Sequence, residues 1–460
     1  MSLRGLIGIA VLVALGVLLS SNRKAINYRQ VALALSLQCA IGALALFVPW
    51  GRRLFGALAD GIGDGLAYGQ VGTHFLFGGL VSSRMAGLFG QDGFVFAFQV
   101  LPAIVYVSAL IALLYHWSVM QMIARILGLG LRYLLGTTAL ESFSAVMTVF
   151  LGQSEMPVVL RPYLGKLRRS ELFTIMSSGT ASVSGSVLAG YAGLGVPMHY
   201  LLAASFMAIP GGLLFSKLLW PTPEDSCDRH EPMPQAELET SGVFDALAEG
   251  AMSGARVAFA VGAVLVAFVG ITALLDGILH GVGVWLHMPD LRLSTVLGIL
   301  MAPLAWLIGI PWSESFLIGG FLGQKIAFNE FVAYVGLSPL IHAHALSMHD
   351  LAIVSVALCG FSNFSSVGIL IGGFGSVAPE RRVEIAAIAS RCVIATTSRW
   401  SPTTSTPAKT PTFWCATRPW RPSASSAWKP GAARIPRFAK TPRSIWKPLT
   451  SSTAASKVWI

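Results

Sequence analysis

Glu155 sits in GQSEMP (152–157) and Glu330 in NEFVAY (329–334), and each interrupts a long apolar stretch. An ionisable residue in such surroundings is read as functional by default, because hydrocarbon does not solvate charge. A third polar stretch, CGFSNFSSVG (359–368), adds Ser362, Asn363, Ser365 and Ser366 beside Phe361. Together with Gln153 these residues supply two carboxylates, side-chain amides, hydroxyls and an aromatic ring. Carboxylates accept from vicinal hydroxyls, amides both donate and accept, and a ring stacks on a flat partner. The chemistry this points to is recognition of a neutral, hydroxyl-rich solute. An enzyme using the two glutamates as acid and base is disfavoured, since they lie on separate segments with no nucleophile motif or metal ligands beside them.

Other polar positions have plainer readings. Glu141 completes a capping box with Thr138 in the pattern T-x-x-E. Ser182, Ser184 and Ser186 bond back to helix carbonyls or let helices pack closely. His342, His344 and His349 of IHAHALSMHD (341–350) are read as loop residues rather than metal ligands, and the glycines of GILIGGFGS (368–376) as packing positions.

The elements that hold these groups are legible in the composition. Of 460 residues 54% are hydrophobic and 12% charged, and mean hydropathy is +0.68. Soluble domains carry about 25% charged residues, so the chain is expected to be an all-α polytopic membrane protein. Apolar runs at 3–20, 31–49, 93–115, 172–195, 198–219, 255–280, 351–373 and 383–396 suggest about eight transmembrane helices. No small-residue cleavage site follows the first run, so it is taken as an anchor rather than a signal peptide. The five cysteines are scattered and imply neither a disulfide framework nor a zinc site.

Basic clusters set the topology. Arg23, Lys24 and Arg29, Arg125 and Arg132, Arg161 to Arg169, and Arg381 with Arg382 all fall on one side only if residues 139–164 enter and leave on the same face. That segment is therefore a re-entrant hairpin. A repeat supports the reading. ESFSAVMTVFLGQSE (141–155) parallels ESFLIGGFLGQKIAFNE (314–330), and ASVSGSVLAGYAGLGVP (181–197) parallels NFSSVGILIGGFGSVAP (363–379). Two re-entrant hairpins in inverted repeats follow, the arrangement in which a transporter places its binding site near the bilayer midplane.

The expected organisation is 1–92 N-terminal helices with an interfacial helix, 93–137 a third span and connecting helix, and 138–220 the first inverted repeat. A polar linker with an amphipathic segment occupies 221–254, a span and connecting helix 255–308, and the second repeat 309–396. From Ser401 onward the chain has ten Lys or Arg and no acid. This Pro/Ser/Thr-rich stretch (397–460) is expected to be disordered or out of frame, with the last helix truncated around 383–396. It also carries most of the net charge of +11, so no nucleic-acid partner is inferred.

At the hairpins the chain resembles the concentrative nucleoside transporters. GQSEMPVVLRPYL (152–164) and NEFVAY are similar to the two hairpin motifs of that family, and KLLWPTPE (217–224) and CGFSNFSS (359–366) to two further stretches. The similarity runs from about residue 90 to about residue 395. It implies that Gln153, Ser154 and Glu155 meet the nucleobase, with Val187 lining the pocket and Phe361 packed against the base. Glu330, Asn363 and Ser366 would hold the ribose hydroxyls. Sodium-coupled members have an asparagine five residues before the motif glutamine, where this chain has Thr148. With Leu151, Ser182 and Val183 it would hold the ion if coupling is to Na+, but the missing amide favours H+, with Glu155 or Glu330 titrating. The resemblance further implies a secondary active symporter with no cofactor, forming a homotrimer in the cell membrane (the inner membrane in a Gram-negative bacterium). The alternatives are an uncoupled channel or facilitator and the inactive product of a frameshifted gene.

Overall fold

Caps and breakers lay out the helices of the computed structural model, which describes residues 3–82, 85, 95–221, 241–285, 287–288 and 290–397. Most of the polar linker (222–240) and the basic tail beyond residue 397 lie outside the described residues. The opening helices are α1 (Leu3–Leu18), α2 (Tyr28–Leu46), whose N-cap Asn27 accepts from the Gln30 amide, and α3 (Pro49–Phe77), which starts on proline and ends on Gly78 at φ 54°. Such a φ suits a residue without a Cβ. Residues 51–70, expected to form an interfacial helix, fall within α3.

A short turn at Phe96–Gln99 leads into α4 (Leu101–His116). The first half then runs through α5 (Val119–Leu135), α6 (Ala139–Met147), the short α7 (Met156–Val159) and α8 (Arg161–Leu164), α9 (Arg169–Ala181), α10 (Gly185–Gly193) and α11 (Met198–Leu219). After α12 (Val243–Trp285) the same order returns. It comprises α13 (Leu293–Leu307), α14 (Trp312–Ala327), α15 (Glu330–His342), α16 (Met348–Leu358), α17 (Phe364–Val377) and α18 (Arg382–Thr397). In each half a helix pair with a glutamate at its turn is followed by a helix broken at Ser182–Ser184 or at Cys359–Asn363. The described residues are helical throughout their regular elements, as the apolar runs predict.

Among the described residues five helices are long and apolar enough to cross a membrane, or six if the pair α13–α14, bent by 117°, counts as one span. The remaining apolar runs fall on the shorter α1, the pair α16–α17, and α18. At 43 residues α12 extends ~65 Å, more than a ~30 Å hydrocarbon core requires. It lies along α4, where Cβ atoms added to Gly250 and Gly254 would come within 2.8 Å of the Ala109 and Val105 Cα atoms. Small residues there permit backbone-to-backbone packing.

The core divides in an informative way. One cluster joins the first hairpin (Phe143, Met147, Met156, Leu160) to Leu370 and Phe374 of α17 and Ile388 and Cys392 of α18. The other joins the second hairpin (Ile318, Phe321, Phe331, Tyr334) to Val187, Leu188 and Tyr191 of α10. Each hairpin therefore packs on the far segment of the opposite half's broken helix, so the halves interlock. Two of the basic segments, 161–169 and 381–382, adjoin. Arg381 Nη1 donates to the Leu164 carbonyl at 2.6 Å and its Nε to Glu384 at 2.9 Å, and Arg169 lies 3.9 Å from Glu384.

Candidate functional site

The polar site is assembled from two hairpin turns and one helix break. Asn329 caps α15 by accepting from the Val332 amide at 2.9 Å, which makes Glu330 the first helical residue. Glu330 is buried, and both carboxylate oxygens are engaged. Oε1 accepts from the Tyr191 hydroxyl at 3.0 Å and Oε2 from Asn363 Nδ2 at 2.9 Å. Asn363 in turn caps α17, its Oδ1 accepting from the Ser366 amide at 2.9 Å, Ser365 Oγ at 2.6 Å and Ser366 Oγ at 3.1 Å. The single Ser366 hydroxyl proton is shared between Asn363 Oδ1 and the Phe361 carbonyl. The N-termini of α15 and α17 thus converge on one carboxylate, whose charge their partial positive ends stabilise.

From the other half, Gln153 Nε2 donates to Ser366 Oγ at 3.0 Å. The buried Gln153 Oε1 has no hydrogen-bond partner among the described residues. A buried acceptor left unpaired costs about 1–3 kcal/mol, so this oxygen is poised for a donor from outside. Glu155 is half-buried and folds back to accept from the Gly152 amide at 3.2 Å.

The structure brings Gln153, Glu330, Asn363 and Ser366 into one hydrogen-bonded set. Ser154 is exposed, Phe361 is half-buried and Val187 is buried on α10, one turn before Tyr191. Three participants escaped the sequence reading. Tyr191 follows Val187 at i+4 and so shares its helix face, which was a usable signal. Lys217 and Lys325 are the other two, basic residues in apolar surroundings to which the rule for intramembrane charge applies equally. Lys217 Nζ lies 2.5 Å from Glu141 Oε1, with the two side chains 5% and 0% exposed. Glu141 also forms both halves of the capping box with Thr138, at 3.1 and 3.3 Å.

The positions considered for a cation carry oxygen donors only. Thr148 Oγ1 donates to the Ala145 carbonyl at 2.8 Å and Ser182 Oγ to the Val183 carbonyl at 3.4 Å. Each hydroxyl oxygen keeps lone pairs, and Leu151 and Val183 add backbone carbonyls, a set that suits a hard cation. No carboxylate is among these residues. Among the described residues no group of three or more His, Cys, Asp or Glu is placed to hold a metal ion.

Comparison with known proteins agrees with this geometry. Three family models match in succession: "Na+ dependent nucleoside transporter N-terminus" over residues 7–80, the gate model described as "Nucleoside recognition" over 97–198, and "Na+ dependent nucleoside transporter C-terminus" over 200–401. The chain is 46% identical to the putative nucleoside permease NupX of Escherichia coli, covering 86% of this chain and 95% of that one. It is 44% identical to the nucleoside permease NupC of Helicobacter pylori, over 85% and 94% of the respective chains. The solved structure of CNTnw in an inward-facing substrate-bound state superposes with a TM-score of 0.81 at 48% identity, covering 86% of this chain and 96% of that one. These relatives are permeases rather than enzymes, and the chain is a multi-pass membrane protein. Its hairpin glutamates, its interlocked halves and its sequence agree: the chain belongs to the concentrative nucleoside transporter family.

Proposed function

We propose that this chain takes nucleosides into the cell as a secondary active symporter driven by a proton gradient. The observation that carries the reading is the meeting of Glu330, Asn363 and Ser366 with the unpartnered Gln153 oxygen, an array of acceptors and amides matched to a ribose diol and a base edge. Gln153, Ser154 and Glu155 meet the base, Val187 and Phe361 line its faces, and Glu330, Asn363 and Ser366 hold the ribose. A homotrimer is part of the same proposal, tested by the mass of the purified assembly.

Gln153→Ala removes the free acceptor and the bond to Ser366. It is expected to weaken nucleoside binding about tenfold, the equivalent of ~1.4 kcal/mol. Calorimetric titration of purified protein with uridine and adenosine checks this, and unchanged affinity for both removes Gln153 from the site.

Proton coupling rests on Thr148 in place of an asparagine and on Glu155. Glu330 already accepts two donors, whereas Glu155 is half-buried and among the described residues accepts from a nearby amide alone. Uptake into transporter-deficient cells is expected to persist without sodium and to collapse with an uncoupler. The converse result assigns coupling to Na+ through Thr148, Leu151, Ser182 and Val183. Uptake that is insensitive to both and stops at equal concentrations on the two sides reveals a facilitator.

A second reading, an inactive chain, is favoured by one observation. The family match stops at residue 401, where the acid-free basic segment begins. Comparing the chain with a frame-restored version separates the readings, since uptake only by the latter makes the tail a lesion.

A further inference from the structure

Two helices end in the interior. α9 stops at Ala181 and α16 at Leu358, and the terminal carbonyls of a helix carry a partial negative charge of roughly half an electron. The two ends are stitched together. The Phe361 amide donates to the Ser182 carbonyl at 3.4 Å, and Ser362 Oγ donates to the Thr180 carbonyl at 3.3 Å. A Cβ added to Gly360 would lie 2.9 Å from the Ala181 carbonyl oxygen and 3.7 Å from Lys325 Nζ. Two negative helix ends facing each other across a glycine require positive charge.

Lys325 supplies it. The residue occupies the last turn of α14, is 9% exposed, and donates from Nζ to the Ala357 carbonyl at 2.8 Å, in the final turn of α16. A cavity of about 90 Å³ adjoins it, bounded by Gln38 of α2, Gly211 and Gly212 of α11, Cys359 and Ser362. Glu330 lies five residues further on, close enough to feel the Lys325 charge, while its two oxygens accept from Tyr191 and Asn363. The hydrogen bond that the ammonium makes goes to a helix-end carbonyl.

We propose that Lys325 is a built-in cation. Its ammonium holds the two facing helix ends in the way that a bound monovalent cation would. The second hairpin and its broken helix then travel as a charge-neutralised unit. The proposal stands whether or not the solute is a nucleoside, because its test does not use one.

The experiment compares three full-length purified proteins in detergent, carrying Lys325, Lys325→Met or Lys325→Arg. Met keeps the length of the apolar stem and drops the charge, whereas Arg keeps the charge and changes the shape. Thermal unfolding is followed in N-methylglucamine chloride and in NaCl or LiCl of equal concentration, since the organic cation is too large to enter the corner. The expected result is a lowered Tm for Lys325→Met in N-methylglucamine, with a saturable rise in Na+ or Li+ that exceeds the response of the parent. Lys325→Arg should stay close to the parent in both salts. A Lys325→Met protein that melts like the parent, or whose deficit no small cation relieves, overturns the proposal. So does an Arg variant at least as impaired as Met, because shape rather than charge is then required. Should neither variant accumulate, Lys325→Ala is grown and purified with ethylammonium or with ethanol at equal concentration. Recovery by the cation alone supports the proposal, and recovery by neither or by both refutes it.

Discussion

Replacing Glu330 with glutamine is expected to cut nucleoside uptake roughly 30- to 700-fold at unchanged membrane level. The carboxylate accepts from the Tyr191 hydroxyl and from Asn363 Nδ2, and of these the amide nitrogen can only donate. A glutamine amide offers one acceptor and one donor, so one native partner meets an N–H group. Hydrogen bonds to a charged group contribute about 1.5–3 kcal/mol, and the loss also strips charge from the N-termini of α15 and α17. A combined deficit of ~2–4 kcal/mol corresponds to that range of rates. Initial-rate uptake of uridine, normalised to protein in the membrane, measures it. Tyr191→Phe removes one of the two donors and should fall between parent and Glu330→Gln. If Glu330→Gln transports at the parental rate, the carboxylate is not at the solute site and the proposed roles of Asn363 and Ser366 fall with it.

The second large effect concerns folding. Lys217→Met is expected to destabilise the protein by about 3–5 kcal/mol, because it leaves Glu141 buried without its cation. At 0% exposure the carboxylate has no water to turn to. Domains have margins of only 5–15 kcal/mol, so folded protein in the membrane should drop sharply. Adding Glu141→Gln is expected to restore much of it. A glutamine still closes the capping box on the Thr138 amide, and a neutral pair no longer carries a desolvated charge. Size-exclusion profiles after a thermal challenge read the series. Full stability of Lys217→Met would show that water or a rearranged side chain meets Glu141, contrary to the closed packing around it.

The pair also shows why the two halves are not equivalent in this chain. Glu141 begins the first hairpin arm, and Lys217 reaches it from the end of α11. Glu314 opens the matching arm of the second half, and one of its buried oxygens has no hydrogen-bond partner among the described residues. The helix corresponding to α11 is α18, and its last residue, Thr397, is also the last described one. The frame-restored chain proposed for the uptake comparison therefore also tests whether the last helix brings a cation to Glu314.

Much was legible in the amino-acid sequence because the signals are local. Membrane residence follows from composition, the repeat from the recurrence of Glu-Ser-Phe and Gly-Gln, and the capping box from Thr138 and Glu141 three residues apart. Glu155 and Glu330 were conspicuous because a charge in an apolar run has few tolerable fates. Partnerships were another matter. Gln153 meets Ser366 across 213 residues, Tyr191 meets Glu330 across 139, and Lys217 meets Glu141 across 76. Those contacts depend on which helix faces meet once each hairpin has packed on the opposite half's broken helix, and periodicity along one segment carries no information about that. The sequence by itself determined the class of the protein, its repeated architecture and the polar groups it places inside the membrane. Only the tertiary structure decided which of those groups are mutually satisfied, which oxygen at Gln153 is left open, and that Lys325 is set against two helix ends. The reason is that burial and charge neutralisation are properties of the interlocked halves and not of either half alone.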